Sequence, residues 1–351
     1  MDVLWMALYL VFILSVLVFV HEGGHFLVAR AFKVRVTEFM LGFPGPNLHV
    51  TWHGTKFGIT CVPLGGYARV CGMEPGEESP HLRRLMALAY ERGALTVADA
   101  AAELQISEEE ARDGLDELYE WGTLEPPAGR DKDETFRTPE RDGQAIGQPC
   151  PIADIEAFYT AERAQQYRML PFWKRICIVL AGPAMNLLFA VIAFIVIYSV
   201  LGVDYTDASG VAQHLVVDPL RAVHAGFTYI GMVFTAIVGL FNPATAADTI
   251  SGSTSVLGIA VLSKTAADAG LVNFLFFMAG ISVSLGLMNM LPIPPLDGGR
   301  FVVEIYQAIR RKSITRTALS ALSVAGMALF LGFFVLMLNQ DIQRFVFGNW
   351  S

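Results

Sequence analysis

The chain carries the stretch His21-Glu22-Gly23-Gly24-His25 directly after the run Val3–Val20, which contains no charged side chain. About 20 apolar residues in a helix span the hydrocarbon core of a bilayer, so this run predicts a membrane helix. On such a helix the two histidines lie four positions apart and share one face, which Glu22 flanks. Ionisable side chains inside a span are costly and are usually functional, so the stretch predicts a polar site near one end of the first span.

The spacing of the two histidines points to metal chemistry. Two imidazoles that leave a helix one turn apart can bind the same zinc ion, and a nearby carboxylate can take a proton from a zinc-bound water. An H-E-x-x-H match occurs by chance about once in a hundred chains with this histidine content, so coincidence is the alternative. The position of the motif at the end of an apolar run favours the metal site.

Composition and hydropathy predict a mainly α membrane protein. Hydrophobic residues make up 54% of the 351 positions, and charged residues make up only 17%. Three further segments are long and apolar enough to span, namely Ile176–Leu201, Val272–Met290 and Ala318–Leu338. Phe227–Phe241 is shorter, and we expect it to be re-entrant or interfacial, which leaves four spans.

Basic residues are distributed so that they assign an orientation to these four spans. Three clusters fall on the same side of the membrane, and by the positive-inside rule that side is the cytoplasm. The site at the end of the first span would then lie near the cytoplasmic face of the membrane. The clusters are Arg30, Lys33 and Arg35; Arg168, Lys174 and Arg175; and Arg300, Arg310, Arg311, Lys312 and Arg316.

A third metal ligand would have to emerge at the same membrane depth, and the end of the third span supplies a candidate. Prolines in Asn289–Gly299 precede Asp297, and broken helices at membrane depth are tolerated where they line a polar cavity. The sequence Pro-Pro-x-Asp-Gly-Gly is also ordinary turn chemistry, which is the alternative interpretation. Opposite His21 and His25, Asp297 completes a His₂-carboxylate zinc set. Glu304 is the rival ligand.

Together with Leu296-Asp297-Gly298, the motif at residues 21–25 resembles the site-2 protease family of intramembrane zinc metalloproteases, in its bacterial branch. The resemblance covers the membrane core and leaves out residues 75–160. The further similar segments are Val34–Gly42, Phe57–Tyr67, Phe172–Ala190 and Ser251–Arg300.

This resemblance implies a function and a role for each candidate residue. Members of the family hydrolyse peptide bonds within the membrane, in single-span proteins or in remnant signal peptides, and the bacterial members lie in the inner membrane. The implied roles are zinc binding by His21, His25 and Asp297, acid/base catalysis by Glu22, and contact with the substrate backbone or oxyanion by Asn186 and Asn289.

Residues 34–70 are predicted to form a small β-sheet after the first span. Lys33–Met40 alternates, Asn47–Thr51 and Lys56–Val62 are strand-like, and turns rich in proline and glycine separate them. In the family such a sheet lies beside the active site and pairs with an extended substrate, whereas a plain cytoplasmic hairpin is the alternative. The first unit, residues 1–75, would therefore combine the first span with a membrane-associated β-region.

The chain departs from the family pattern in two places. Many bacterial members carry an external PDZ domain after the second span, but Gly202–Gly226 offers only about a quarter of the length that such a domain needs. Residues 76–127 instead predict a winged helix-turn-helix-like insert, with helices at Leu82–Arg92, at Val97–Leu104 and from Ser107 to Trp121. Residues 128–165 are predicted to be a linker, and 166–351 complete the membrane core.

The insert is too acidic for nucleic-acid binding to be expected. Residues 81–140 contain seven Lys and Arg against fifteen Asp and Glu, a net charge of −8, whereas DNA-binding modules need a basic face. A cytoplasmic protein partner or a regulatory role fits this charge better. A solvated acidic spacer is the alternative.

Two functions of other classes are alternatives to the protease. A membrane-tethered regulator would act through the winged-helix-like module, with a degenerate protease body. A transporter would use His21, Glu22 and Asp297 as an ion relay, but the sequence contains no evident inverted repeat. The complete His/Glu/His/Asp set and the acidic third helix of the insert favour the protease.

Overall fold

The structure, a computed structural model, describes residues 2–62, 65–73, 78–127, 131, 133–141, 143–206, 210–312 and 314–348. Residues 1, 63–64, 74–77, 128–130, 132, 142, 207–209, 313 and 349–351, which fall within segments discussed above, lie outside this description. The helices are α1 (Asp2–Ala31), α2 (Leu82–Arg92), α3 (Val97–Leu104), α4 (Glu108–Glu120), α5 (Ile155–Ala164), α6 (Phe172–Ile195), α7 (Pro219–Gly239), α8 (Ala246–Gly252), α9 (Val256–Asp268), α10 (Leu271–Asn289), α11 (Asp297–Arg310) and α12 (Arg316–Asp341). The strands are β1 (Val36–Leu41), β2 (Asn47–Trp52), β3 (Thr55–Thr60), β4 (Gly66–Val70), β5 (Ala94–Thr96), β6 (Thr135–Arg137), β7 (Val203–Thr206) and β8 (Ala212–Leu215).

Five helices among the described residues are long and apolar enough to cross a membrane, which confirms a mainly α membrane protein. They are α1, α6 with its π-helical continuation, α7, α10 and α12. The expectation for Phe227–Phe241 was wrong about length, because residues 227–239 of this segment form the second part of the 21-residue helix α7. The Asp218 side chain accepts the backbone N–H of Arg221, and Pro219 occupies the first turn, so the helix begins well before the apolar run.

The fifth long helix, α7, does not change the direction in which α10 runs. Helix α9 leads the chain back to the end of the bundle at which α7 starts, and α10 begins from there. The backbone N–H of Val217 donates to the carbonyl of Tyr198 at 2.9 Å, so α7 starts beside the end of α6. Lys264 in α9 lies 3.5 Å from Asp2 in the first turn of α1. Since α1 and α6 run antiparallel, these two contacts mark the same end of the bundle. The α7–α9 excursion therefore starts and finishes on one side.

The sheet after α1 has the strand order β2-β3-β1-β4, with β1 and β3 parallel and the other two pairings antiparallel. The three predicted strands correspond to β1, β2 and β3, and β4 is a further strand that the alternation pattern did not separate. Phe39 and Phe57 pack against the ring of Phe26 in α1, with ring centroids 5.5 and 5.4 Å from it. This apolar contact holds the sheet beside the turn of α1 that carries Glu22.

The insert contains three helices whose bounds match those expected from the sequence. Thr96 accepts the N–H of Asp99 at 3.0 Å at the start of α3, and Ser107 and Glu110 form a capping box at the start of α4. Strand β5 lies between α2 and α3 and pairs with β6. The buried core includes Leu82, Leu85, Leu88, Ala101, Leu115 and Leu118.

The expected linker at 128–165 needs correction, because most of its described residues belong to the folded insert. The backbone N–H of Cys150 donates to the carbonyl of Tyr90 at 2.8 Å, and β6 is paired with β5. Helix α5 packs on α2, where the ring centroids of Phe158 and Tyr90 lie 5.1 Å apart. Glycine and proline content predicted a flexible segment, but its apolar side chains cover the helices. The folded unit therefore extends to Ala164.

Acidic residues hold the insert against the membrane-associated part of the chain. Among the described residues, three ion pairs join the two, and in each the acid comes from the insert and the base from outside it. Tyr119 of α4 also accepts a hydrogen bond from Arg69 of β4. Part of the insert's negative charge therefore has a structural role. The pairs are Glu117–Arg168 at 2.7 Å, Glu125–Lys56 at 2.9 Å and Glu162–Arg35 at 2.6 Å.

Candidate active site

Helices α1 and α6 approach closely at the H-E-x-x-H motif because glycine faces the contact on both. A Cβ on Gly24 would lie 2.4 Å from the carbonyl oxygen of Ala181. A Cβ on Gly182 would lie 2.3 Å from Nε2 of His25 and 2.8 Å from Nε2 of His21. No side chain larger than hydrogen fits at either position without displacing backbone or histidine. The contact thus sets α6 directly over both imidazoles.

Three ligand atoms converge at this contact. Nε2 of His21 lies 3.0 Å and Nε2 of His25 lies 3.5 Å from Oδ2 of Asp297, and the two Nε2 atoms are 3.4 Å apart. Zinc held tetrahedrally with bonds of about 2.0–2.1 Å keeps its ligand atoms roughly 3.4 Å apart, so the donor set fits this metal. Asp297 reaches the histidines because α10 ends at Asn289 and α11 begins at Asp297 itself.

Nδ1 of each histidine contacts a polar atom of α6, and Nε2 of each faces Asp297 while lying close to Gly182 of α6. Nδ1 of His25 lies 2.7 Å from the carbonyl oxygen of Ile178, and Nδ1 of His21 lies 3.2 Å from the side-chain nitrogen of Asn186. Both rings are almost fully buried, with 7% of each residue exposed. The orientation of both rings is therefore fixed from behind, and the nitrogens that face Asp297 are available to a metal.

Glu22 lies at the wall of a cavity of about 430 Å³ that opens beside the three ligand atoms. The backbone N–H of Ala68 donates to Oε2 of Glu22 at 2.9 Å, so strand β4 holds this carboxylate. The cavity is lined on one side by α1 and β4 and on the other by the end of α10 and the loop before α11. This arrangement places a carboxylate beside the three converging ligand atoms and leaves a cavity next to them.

Tyr67 lies next to Ala68 on β4 and also lines the cavity. Burial, together with the hydrogen bond that its hydroxyl donates to Glu38 at 2.9 Å, raises the pKa of Tyr67 to about 12. The phenol therefore stays protonated at neutral pH and keeps β4 joined to β1 through this side-chain contact.

The two asparagines expected to contact substrate lie in different places. Asn289 is partly exposed and lines the cavity. Asn186 is fully buried behind His21 and is not among the residues that line the cavity, and its expected contact with substrate stays a prediction. The sequence places Asn186 on a span beside the site, but the rotation of that helix decides whether the side chain meets the substrate or the histidine.

Glu304, the rival ligand, is engaged elsewhere. Its carboxylate lies 3.0 Å from the guanidinium of Arg175 and accepts a hydrogen bond from the hydroxyl of Tyr167, also at 3.0 Å. Among the described residues, His21, His25 and Asp297 form the one group of three or more ligating side chains close enough to share an ion.

Sequence comparison assigns the chain to a family. The model of Peptidase family M50 matches residues 9–333. The zinc metalloprotease RasP of Shouchella clausii is 25% identical over 428 aligned residues, covering 95% of this chain and 97% of RasP. The protease eep of Enterococcus faecalis is 25% identical over 431 residues, covering 96% and 98% of the two chains. A zinc metalloprotease of Rhizobium meliloti is 29% identical over 366 residues, covering 96% of each.

The chain belongs to Peptidase family M50, the site-2 proteases. It is accordingly a zinc metalloprotease with several membrane helices, which confirms the enzyme class and the cofactor expected from the sequence. The family match also removes the transporter alternative.

Proposed function

We propose that this protein is an intramembrane zinc endopeptidase that cleaves membrane-spanning protein substrates in regulated intramembrane proteolysis. The observation that carries the proposal is the approach of His21, His25 and Asp297 to within 3.5 Å of one another among apolar helices. Glu22 beside them supplies the acid/base group. Single-span regulators and remnant signal peptides are the substrate classes that fit such a site.

His21, His25 and Asp297 would hold the zinc ion. When bound, the metal polarises the scissile carbonyl and lowers the pKa of a coordinated water to about 7. Glu22 would take the proton from the attacking water and deliver it to the leaving amine. The hydrogen bond from Ala68 to Oε2 leaves the other carboxylate oxygen of Glu22 for this proton transfer.

Strand β4 is the proposed docking edge for the substrate. It is the outermost strand of the described sheet on the side of Glu22, and its Ala68 N–H points away from β1 toward the site. A peptide bond within a helical span is shielded by the helix itself, so the substrate must unwind before cleavage. Pairing with a strand edge would stabilise the unwound segment, and Asn289 would contact its backbone.

We propose a bacterial inner-membrane location with the active site near the cytoplasmic face. The basic clusters support this orientation, because the residues after α1, the start of α6 and helix α11 contact one another at the end of the bundle that carries the site. The lipid bilayer is then a direct partner of the exposed apolar surface of the helices. The α7–α9 excursion would enter from the external side and return to it.

We further propose that the insert is a winged-helix-like regulatory module that binds a cytoplasmic protein and no nucleic acid. The order α2-β5-α3-α4 followed by β6 supports the winged-helix interpretation. The exposed residues at the start of α4 are Glu108, Glu109, Glu110 and Asp113, with Arg112 as the one base among them. Such a face repels phosphate.

The variant Glu22→Gln tests the proposed chemistry. It removes the proton-transfer group without removing a ligand, so purified protein should keep its zinc while cleavage falls by at least about 100-fold. In native membranes the variant should retain uncut single-span proteins that the wild-type chain releases as fragments. Cleavage at the wild-type rate would contradict the assigned role of Glu22.

A further inference from the structure

Asn186 is a buried polar residue beside the site, and the proposed reaction does not use its side chain. It lies on α6, is 0% exposed, and its side-chain nitrogen faces Nδ1 of His21 at 3.2 Å. Its side-chain oxygen is buried and has no hydrogen-bond partner. A buried polar atom without a partner is costly, so a feature of the site should supply one.

With zinc on Nε2 of His21, the Nδ1–H of the same ring would be that partner. A histidine that offers Nε2 to a metal carries its ring proton on Nδ1, and metal-binding histidines usually donate this proton to an oxygen. Rotation of the Asn186 carboxamide by about 180° about its Cβ–Cγ bond exchanges nitrogen and oxygen, so the oxygen then faces Nδ1 of His21. The exchange gives the buried oxygen a donor and gives the His21 N–H an acceptor.

His25 provides an internal comparison. Its Nδ1 lies 2.7 Å from the carbonyl oxygen of Ile178, which can only accept a hydrogen bond. Ile178 and Asn186 lie about two turns apart on α6, so one face of this helix contacts both rings. The backbone carbonyl of Asn186 also accepts a hydrogen bond from Ser282 of α10 at 2.8 Å, which fixes α6 at this depth.

We propose that Asn186 is a positioning residue for the metal site: its side-chain oxygen accepts the Nδ1–H of His21 and selects the tautomer that presents Nε2 to zinc. The inference rests on the proposed zinc ligands. It assigns Asn186 a contact with a ligand in place of a contact with substrate.

Zinc affinity measured in detergent by competition with a chromophoric chelator tests this role without using activity. Asn186→Leu keeps a similar volume and removes the acceptor, and Asn186→Ala removes it without overfilling the core. Asn186→Asp retains an oxygen in place. Ser284→Ala is the control, because within the described part of the chain the Ser284 hydroxyl donates to the carbonyl of Gly280 in its own helix and to no other residue.

We expect Asn186→Leu and Asn186→Ala to weaken zinc binding by about 10- to 100-fold, while Asn186→Asp and Ser284→Ala stay within about threefold of wild type. The visible spectrum of the Co²⁺-substituted protein should change in the two apolar variants and not in Asn186→Asp. Wild-type affinity in either apolar variant, or an equal loss in Asn186→Asp, would overturn the inference. The variant His21→Ala distinguishes the proposed zinc ligands from the proposed role of Asn186. If His21→Ala keeps its zinc, the assignment of His21 as a ligand is refuted.

Discussion

At the scale of single residues, the two glycines between the histidines have different roles that the motif does not distinguish. A Cβ on Gly24 would meet the backbone of Ala181 at 2.4 Å, whereas a Cβ on Gly23 would meet nothing within 4 Å. Of the two glycines, Gly24 and not Gly23 therefore sets the distance between α1 and α6. That distance in turn sets the position of both imidazoles.

We predict that Gly24→Ala will lower zinc content and cleavage, because α6 must move away from the histidines. Gly23→Ala is the matched control and should leave both unchanged, with a gain in stability of up to about 1 kcal/mol from helix propensity. Zinc per chain and the thermal unfolding midpoint measure the two effects. Equal behaviour of the two variants would contradict the close approach of the helices.

His21, His25 and Asp297 could be predicted as a set because a zinc site requires three donors at a shared depth, and Glu22 followed from its place in the H-E-x-x-H motif. The structure brings all four together. The role of Asn186 could not be predicted, because it depends on the rotation of α6 about its own axis. Periodicity does not report that rotation in a helix that is apolar on every side.

At the scale of elements, the insert was predictable where capping residues mark its helices and unpredictable where they do not. Thr96 and Ser107 fix the starts of α3 and α4. The start of α7 was missed because Arg221 and His224 interrupt the apolar run. The packing of residues 133–164 was missed because turn-rich composition says nothing about a tertiary partner.

The contact between insert and membrane core should depend on the pair Arg168–Glu117. Glu117 is 2% exposed, so Arg168→Ala removes one ion-pair partner from a buried carboxylate. For a fully buried pair, loss of one partner lowers the free energy of unfolding by about 3–5 kcal/mol. We predict a lower unfolding midpoint and faster proteolysis in the insert. Arg112→Ala, which breaks a solvent-exposed pair with Glu134, is the control and should have little effect. A larger effect from Arg112→Ala would contradict the docked arrangement.

At the scale of the whole molecule, residues 81–140 of the insert carry a net charge of −8, equal to that of the complete chain. The complete chain has 25 basic and 33 acidic residues, and residues 81–140 alone hold seven and fifteen of them, so the remainder is balanced. We predict that the full chain in neutral detergent will not bind duplex DNA at low salt, where phosphate attraction is strongest. Fluorescence anisotropy of labelled DNA measures this. Tight, salt-sensitive binding would support the tethered-regulator alternative.

The orientation of the molecule gives a further prediction. Reporter fusions after Gln105 and after Lys312 should both report the cytoplasm, and a fusion after Gly210 should report the external side. We expect the cytoplasmic result at Lys312 because α9 returns to the end of the bundle at which α7 starts. An external result at Lys312 would mean that Asp297 and the two histidines lie on opposite sides of the membrane, which would contradict the proposed zinc site.

The most direct test of the central claim is the zinc content of purified protein, measured by atomic absorption. The account predicts close to one zinc per wild-type chain and per Glu22→Gln chain. It predicts the loss of most of that zinc in His21→Ala and Asp297→Ala, with the variants still inserted in the membrane. Stoichiometric zinc in a variant that lacks both His21 and His25 would contradict the account.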